Sequence, residues 1–179
     1  MQKSMATMES SELIMLDTNV WLDYFIASRP GHPASFELIE KAFETKAALA
    51  HAAISTKDLY FIVAARIKSD IRAEKGGGIT EKDAAIARET AWACLNTLNS
   101  FSTPVGCDQT DIWLAEKQRG IHDDFEDDLI IAAAMRCNAK LLVTNDEKLL
   151  RHCPVAALSV ADAIRYFSQN NHSPQVNGV

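Results

Sequence analysis

Positive charge is the first thing this chain lacks. Lys and Arg together number 18 against 24 Asp and Glu, a formal net charge of -6 over 179 residues. That argues against a broad basic coat for nucleic acid and leaves room for a small site of local positive charge, including one supplied by a metal ion. Long apolar runs are missing too. No stretch approaches the roughly 20 residues that span a bilayer, so no membrane association is expected. Residues 1–11 are polar and hold no apolar core of a signal peptide, and they read as a flexible lead. Cysteine is sparse. Cys94, Cys107, Cys137 and Cys153 form no CxxC pair and no metal-finger spacing, and they read as reduced packing thiols of a cytoplasmic protein. The glycine run Gly76-Gly77-Gly78 has no GK[ST] after it, which excludes a phosphate-cradling loop and leaves a joint between two helices. The histidines His32, His51, His122, His152 and His172 are scattered, with no pair at metal-ligand spacing and no Ser-His-Asp or Cys-His arrangement. There is no internal repeat and no low-complexity block.

What the chain does have is an alternation of apolar runs and helical patterns. Leu13-Ile14-Met15-Leu16 runs straight into Asp17-Thr18-Asn19 and a new apolar segment from Val20. This reads as a buried strand that stops at Asp17, followed by a helix that these polar residues can cap. An amphipathic helix is predicted over 34–43 and a second buried strand over 47–54. Ser55 and Asp58 then have the form of a capping box opening a helix from Asp58 to about Glu74. A second such box, Thr80 with Asp83, opens a helix to Leu98. A strand over 101–105, helices over 108–119 and 124–138, a strand over 140–144, a short helix over 145–150, a strand over 155–158 and a helix over 159–167 complete the pattern. Strands alternating with helices predict an α/β fold, a three-layer α/β/α sandwich with a mainly parallel central sheet. The domain is expected over residues 12–168, with a loose polar tail over 169–179.

Acids recur where apolar strands give way to helices: Asp17, Asp58, the group Asp124, Asp127 and Asp128, and Asp146. In a parallel sheet those positions share the carboxyl edge. Taken singly, each acid reads as a helix cap or as a charge favouring the helix macrodipole. Taken together, several carboxylates on one edge repel and raise one another's pKa unless a cation lies between them. Mg²⁺ or Mn²⁺ would relieve that repulsion and keeps positions for water and phosphate. Asp124 and Asp127 lie three apart on one helix and can face one site. Asp128 is turned about 100° from Asp127 and is expected behind the site or in solvent. His122 is expected at the surface. Trp21, Tyr24, Phe25, Tyr60 and Phe61 read as core, and any that are exposed would mark a dimer or partner interface.

Four segments carry a resemblance: Ile14-Met15-Leu16-Asp17-Thr18-Asn19-Val20, Ile54-Ser55-Thr56-Lys57-Asp58-Leu59-Tyr60, the stretch from Asp124 to Ala133 reading DFEDDLIIAA, and Leu142-Val143-Thr144-Asn145-Asp146. In order and spacing the chain resembles the PIN-domain nucleases, many of which are toxins of VapBC-type toxin–antitoxin pairs. The resemblance implies a PIN-like α/β/α domain and an endoribonuclease whose acidic pocket binds Mg²⁺ or Mn²⁺. It implies Asp17, Asp58, Asp127 and Asp146 as catalytic and metal-binding acids. Asp58 stands where Glu is frequent. Asn19, Asp124, Thr144 and Asn145 are the supporting residues. RNA is the implied substrate, an antitoxin the implied protein partner, and a homodimer the expected assembly. Lys57, Arg66, Lys68, Arg72 and Lys75 are candidate RNA contacts on or beside one helix, or a solvated helix face. An RNA-processing nuclease without an antitoxin and a non-catalytic binding module remain the alternatives. A phosphatase built on a DxD nucleophile is disfavoured, because Asn19 occupies the second acid's place.

Overall fold

The computed structural model describes residues 12–121 and 124–170. The expectations for residues 1–11 and 171–179, and for His122, fall outside them. Five strands, β1 (Leu13–Leu16), β2 (Ala48–Ala52), β3 (Ser102–Val105), β4 (Leu141–Val143) and β5 (Ala157–Leu158), form one sheet in the order β3-β2-β1-β4-β5. Every pairing is parallel, with Met15 opposite Ala50 on one side and Leu142 on the other. The parallel α/β sandwich expected from the alternation is therefore present.

Period-two alternation divides the core between the two faces. Ile14 and Leu16 of β1, Leu49 of β2, and Leu141 and Val143 of β4 point into one apolar cluster. Its cover comes from α1 (Thr18–Phe25), α2 (His32–Glu44), α3 (Ser55–Lys75), α4 (Glu81–Phe101) and α8 (Val160–Asn170). Met15, Ala50, Ala52 and Leu142 face the opposite cluster, under α6 (Phe125–Arg136) and Leu149 of α7 (Glu147–His152). Ala133 and Ala134 let α6 lie close on the sheet, and α5 (Gln109–Gln118) packs outside it.

Local chemistry sets the helix ends. Gly76 stops α3 with φ 64°, the left-handed geometry that glycine adopts without strain. Thr80 and Asp83 form the expected reciprocal capping box of α4. Asp108 and Asp111 form another at α5, which the sequence pattern did not single out. The box expected from Ser55 and Asp58 does not form. The first turn of α3 begins at Ser55, its N-cap is Ile54 in helical geometry, and no side chain caps it. Ser55 instead accepts a 2.7 Å hydrogen bond from the Thr18 hydroxyl, a contact 37 residues away that no local pattern reveals. At the chain's far end α8 continues to Asn170, beyond the expected 167. Between α1 and α2, Arg29 bonds the carboxylate of Asp23 at 2.5 Å. Gly31 is required beside that pair, since a Cβ there would stand 2.0 Å from Asp23 Oδ2.

Candidate active site

From β1 the sheet grows outward through β2 to β3, and the chain then returns to the other side of β1 for β4 and β5. A sheet that reverses its growth this way opens a crevice at the carboxyl ends of the two strands flanking the reversal. Asp17 is the first residue after β1 and Thr144 the first after β4. The Asp17 N–H donates to the Val143 carbonyl at 3.0 Å, which continues the strand pairing one step into the loop. The buried Thr144 hydroxyl donates to Asp17 Oδ2 at 2.7 Å and accepts from the Asp146 N–H at 3.0 Å. One hydroxyl thus ties two acid-bearing turns together.

Asp17 is 1% exposed, and its carboxylate forms the floor of a cavity lined by Asn19, Asp58, Asp124, Glu126 and Asp127. Three helix starts deliver these residues: α1 carries Asn19, α3 carries Asp58, and α6 carries Glu126 and Asp127 just past its cap Asp124. The Thr18 hydroxyl lies between them, bonded to Ser55 Oγ and 3.4 Å from Glu126 Oε1.

The expected roles separate on inspection. Asp124 is a cap in fact, accepting from the N–H groups of Glu126 and Asp127 at 3.0 and 3.4 Å, while it also lines the cavity. Asp146 is a cap as well, accepting from Lys148 and Leu149 N–H at 2.7 and 3.0 Å. It stands beside the cavity rather than in its lining, near enough for its charge to act on Asp17 and Asp127. Asn145 Oδ1 accepts from the Val160 N–H at the start of α8. Asp17, by contrast, accepts a side-chain hydrogen bond from across the sheet, from Thr144, despite its place before α1. Asp128 is buried and borders a separate depression with Arg119 of the α5 side, which excludes the solvent alternative. Glu126 is the acid that the sequence pattern did not assign. Its clue was its place between the cap Asp124 and Asp127 at a helix start that faces other acids.

Burial without counter-charge dominates the electrostatics. Burial raises the Asp17 carboxyl, and the Thr144 hydroxyl and the Thr18 and Asn19 backbone offset this only in part. Asp127 is pushed up to about 7, first by burial and then by the charges of Asp124, Asp17, Asp146 and Glu126. Glu126 is raised by burial and by Asp58, Asp124 and Asp17. Asp58 has a cation of its own, Lys57 Nζ at 3.1 Å. Arg66 and Lys75, the other paired cations of α3, are engaged with Asp70 and Asp83 farther along the helix.

This donor set is hard oxygen throughout, the chemistry that suits Mg²⁺ or Mn²⁺. Among the described residues no three His, Cys, Asp or Glu side chains already converge as a metal-holding group. Mg²⁺ does not need such a cage, since it commonly binds through one or two carboxylates and keeps water and phosphate oxygens for the rest.

The model of the PIN domain matches residues 14–153, which takes in every acid of the cavity. The chain belongs to the PIN-domain family, a family of nucleases. This PIN domain is similar in fold to a chain of VapBC2 from Rickettsia felis, solved bound to a DNA fragment from their promoter. The TM-score is 0.57 at 18% identity, covering 82% of this chain and 98% of that one. A chain of VapBC-5 from Mycobacterium tuberculosis, a member of the VapBC family of toxin–antitoxin systems, aligns at TM-score 0.45 and 15% identity, over 82% and 96% of the two chains. At these identities the likeness concerns the fold. No curated protein matches the chain by sequence.

Proposed function

We propose that this PIN domain is a metal-dependent endoribonuclease that hydrolyses RNA phosphodiester bonds, and that it is the toxin of a toxin–antitoxin pair. One observation carries the catalytic part: carboxylates from three helix starts share a cavity at the sheet's switch point, and those with raised pKa have no Lys or Arg partner among the described residues. Such an arrangement is unfavourable by itself and favourable around a cation.

Asp17 and Asp127 would hold Mg²⁺ or Mn²⁺, with Asp146 and Asp58 completing the site directly or through water. A bound divalent ion supplies an acidified water and neutralises charge on phosphate oxygens. Thr144 keeps the Asp17 carboxylate aimed into the cavity. Thr18 and Ser55 hold α3 against α1, which fixes where Asp58 enters. Asn19 faces the same space and can orient water or a phosphate oxygen. The toxin reading is supported by the family and by the fold likeness to the Rickettsia felis VapBC2 chain.

The decisive experiment incubates purified protein with single-stranded RNA in Mg²⁺ or Mn²⁺, with chelator, and with the Asp17→Asn and Asp127→Asn variants. Cleavage that requires both metal and acids is the expected result; metal-independent cleavage retained by both variants would refute the site. For the toxin reading, expression of the wild type should arrest growth, and co-expression of a small neighbouring reading frame should restore it. Unimpaired growth at full cleavage activity would refute that part alone.

A further inference from the structure

One further depression adjoins the acid cavity and a second adjoins the first, and neither has a role in the arrangement described so far. The first, about 380 Å³, shares Asp58 and Glu126 with the acid cavity and adds Lys57 and the exposed ring of Phe125. The second, about 360 Å³, shares Lys57 with the first and lies between α3 and α4. It holds Tyr60 and Trp92, whose ring centroids are 5.3 Å apart at 58°, with the side-chain amides of Asn96 and Asn99. The three cavities are thus neighbours through shared lining residues, in an order that runs from acids, past a cation, to an aromatic wedge bordered by amides.

We propose that this path seats the single-stranded RNA on one side of the scissile phosphate, with one nucleobase against Phe125 and a second against Trp92. The inference rests on the ribonuclease reading of the acid cavity. Charge and chemistry select this occupant. Lys57 stands between the two aromatic positions, where a strand leaving the acids would present its next phosphate. Among the described residues its Nζ is paired with Asp58, and its side chain is 69% exposed, a kind of pair that contributes little and exchanges readily. Trp92 is 54% exposed on a helix whose buried face is complete without it. A planar ring with polar edges can stack on that indole and meet the amides of Asn96 and Asn99, whereas an aliphatic side chain would leave both amides unanswered. The net charge of -6 makes a local path of this sort necessary, because long-range attraction of RNA is absent.

The test compares wild type, Trp92→Ala, Trp92→Phe, Lys57→Met and Trp113→Ala on a fluorescein-labelled single-stranded RNA of about 12 nucleotides. Trp113 is equally exposed but lies on α5. Trp92→Ala should raise KM about 5- to 100-fold, the range that stacking on one aromatic ring supplies, with kcat within about twofold. Trp92→Phe should recover most of the loss. Lys57→Met should raise KM and flatten its salt dependence, and Trp113→Ala should match wild type. The same Trp92 loss should appear as weaker RNA binding in the Asp17→Asn background. Unchanged KM in Trp92→Ala, with wild type cleaving normally, would overturn the path and leave the ribonuclease intact. Unchanged KM together with loss of self-association or of partner binding would assign the wedge to a protein instead. A wild type that cleaves no RNA would overturn the underlying reading.

Discussion

Buried and half-buried acids occur in two settings in this molecule, and they behave oppositely. Along the flanks, three such acids bring their own cations. Asp83 is held by Lys75 at 2.6 Å, Asp111 by Arg136 at 3.0 Å, and Asp23 by Arg29 at 2.5 Å. The Lys75 ammonium and the Thr80 backbone hold the Asp83 carboxyl down at about 2. At the carboxyl edge of β1 and β4, Asp17, Glu126 and Asp127 have no such partner among the described residues, and all three are raised. The flank acids hold helices in place. Among the described residues the edge acids are left uncompensated, and it is between them that a divalent cation is proposed.

The largest expected effect tests the edge. Asp17→Asn should lower metal-dependent cleavage more than about a hundredfold, beyond what loss of a supporting residue costs a metal site. Its melting temperature without metal should stay level or rise, because an uncompensated buried charge has gone. A large fall in melting temperature would show that Asp17 is structural like its flank counterparts. On the flank the outcome should reverse. Arg136→Met strands the carboxylate of Asp111, which is 1% exposed, and should cost about 2–3 kcal/mol in denaturant unfolding, less than for a fully buried pair because Arg136 is partly exposed. Activity per folded molecule should persist, and its loss would merge the two regions.

Thr144→Val should lower metal affinity or activity about 10- to 100-fold, with Thr144→Ser restoring it, since the hydroxyl acts by holding Asp17. Equal loss in both variants would show that shape rather than the hydrogen bond matters. The smallest effect concerns pH. The Asp127 carboxyl has an ordinary value of 3.8 and is raised to about 7 in the fold, so the native state binds more protons than the unfolded chain between those values. Without metal, stability should therefore fall as pH rises from about 4 to about 7. Asp127→Asn should reduce that fall, to which Asp17 and Glu126 also contribute, and melt a few degrees higher above pH 7, with the advantage vanishing near pH 4. A parallel pH profile in both proteins would contradict the shift.

Much of this was written locally in the chain. The apolar run ending at Asp17, the β-α alternation, the glycine stop at Gly76 and the Thr80 box are each settled by a few neighbouring residues, and the structure contains them all. The motifs around Asp17, Asp58, Asp127 and Thr144 also sufficed to name the family. Other features depended on residues far apart in sequence meeting across the sheet. Ser55 has the spacing of a cap but turns to Thr18, because the β1–α1 turn lies beside it. Asn145 belongs to α8, and Phe61, which reads as core, is 63% exposed because α3 buries another face. Glu126 joins the site only because α6 starts opposite Thr18. Residue order alone determined the strands, their helices and where acids would stand along them. The order β3-β2-β1-β4-β5 decided which acids meet, since only placing β4 beside β1 sets Thr144 on Asp17 and leaves that carboxylate buried with no cation of its own among the described residues.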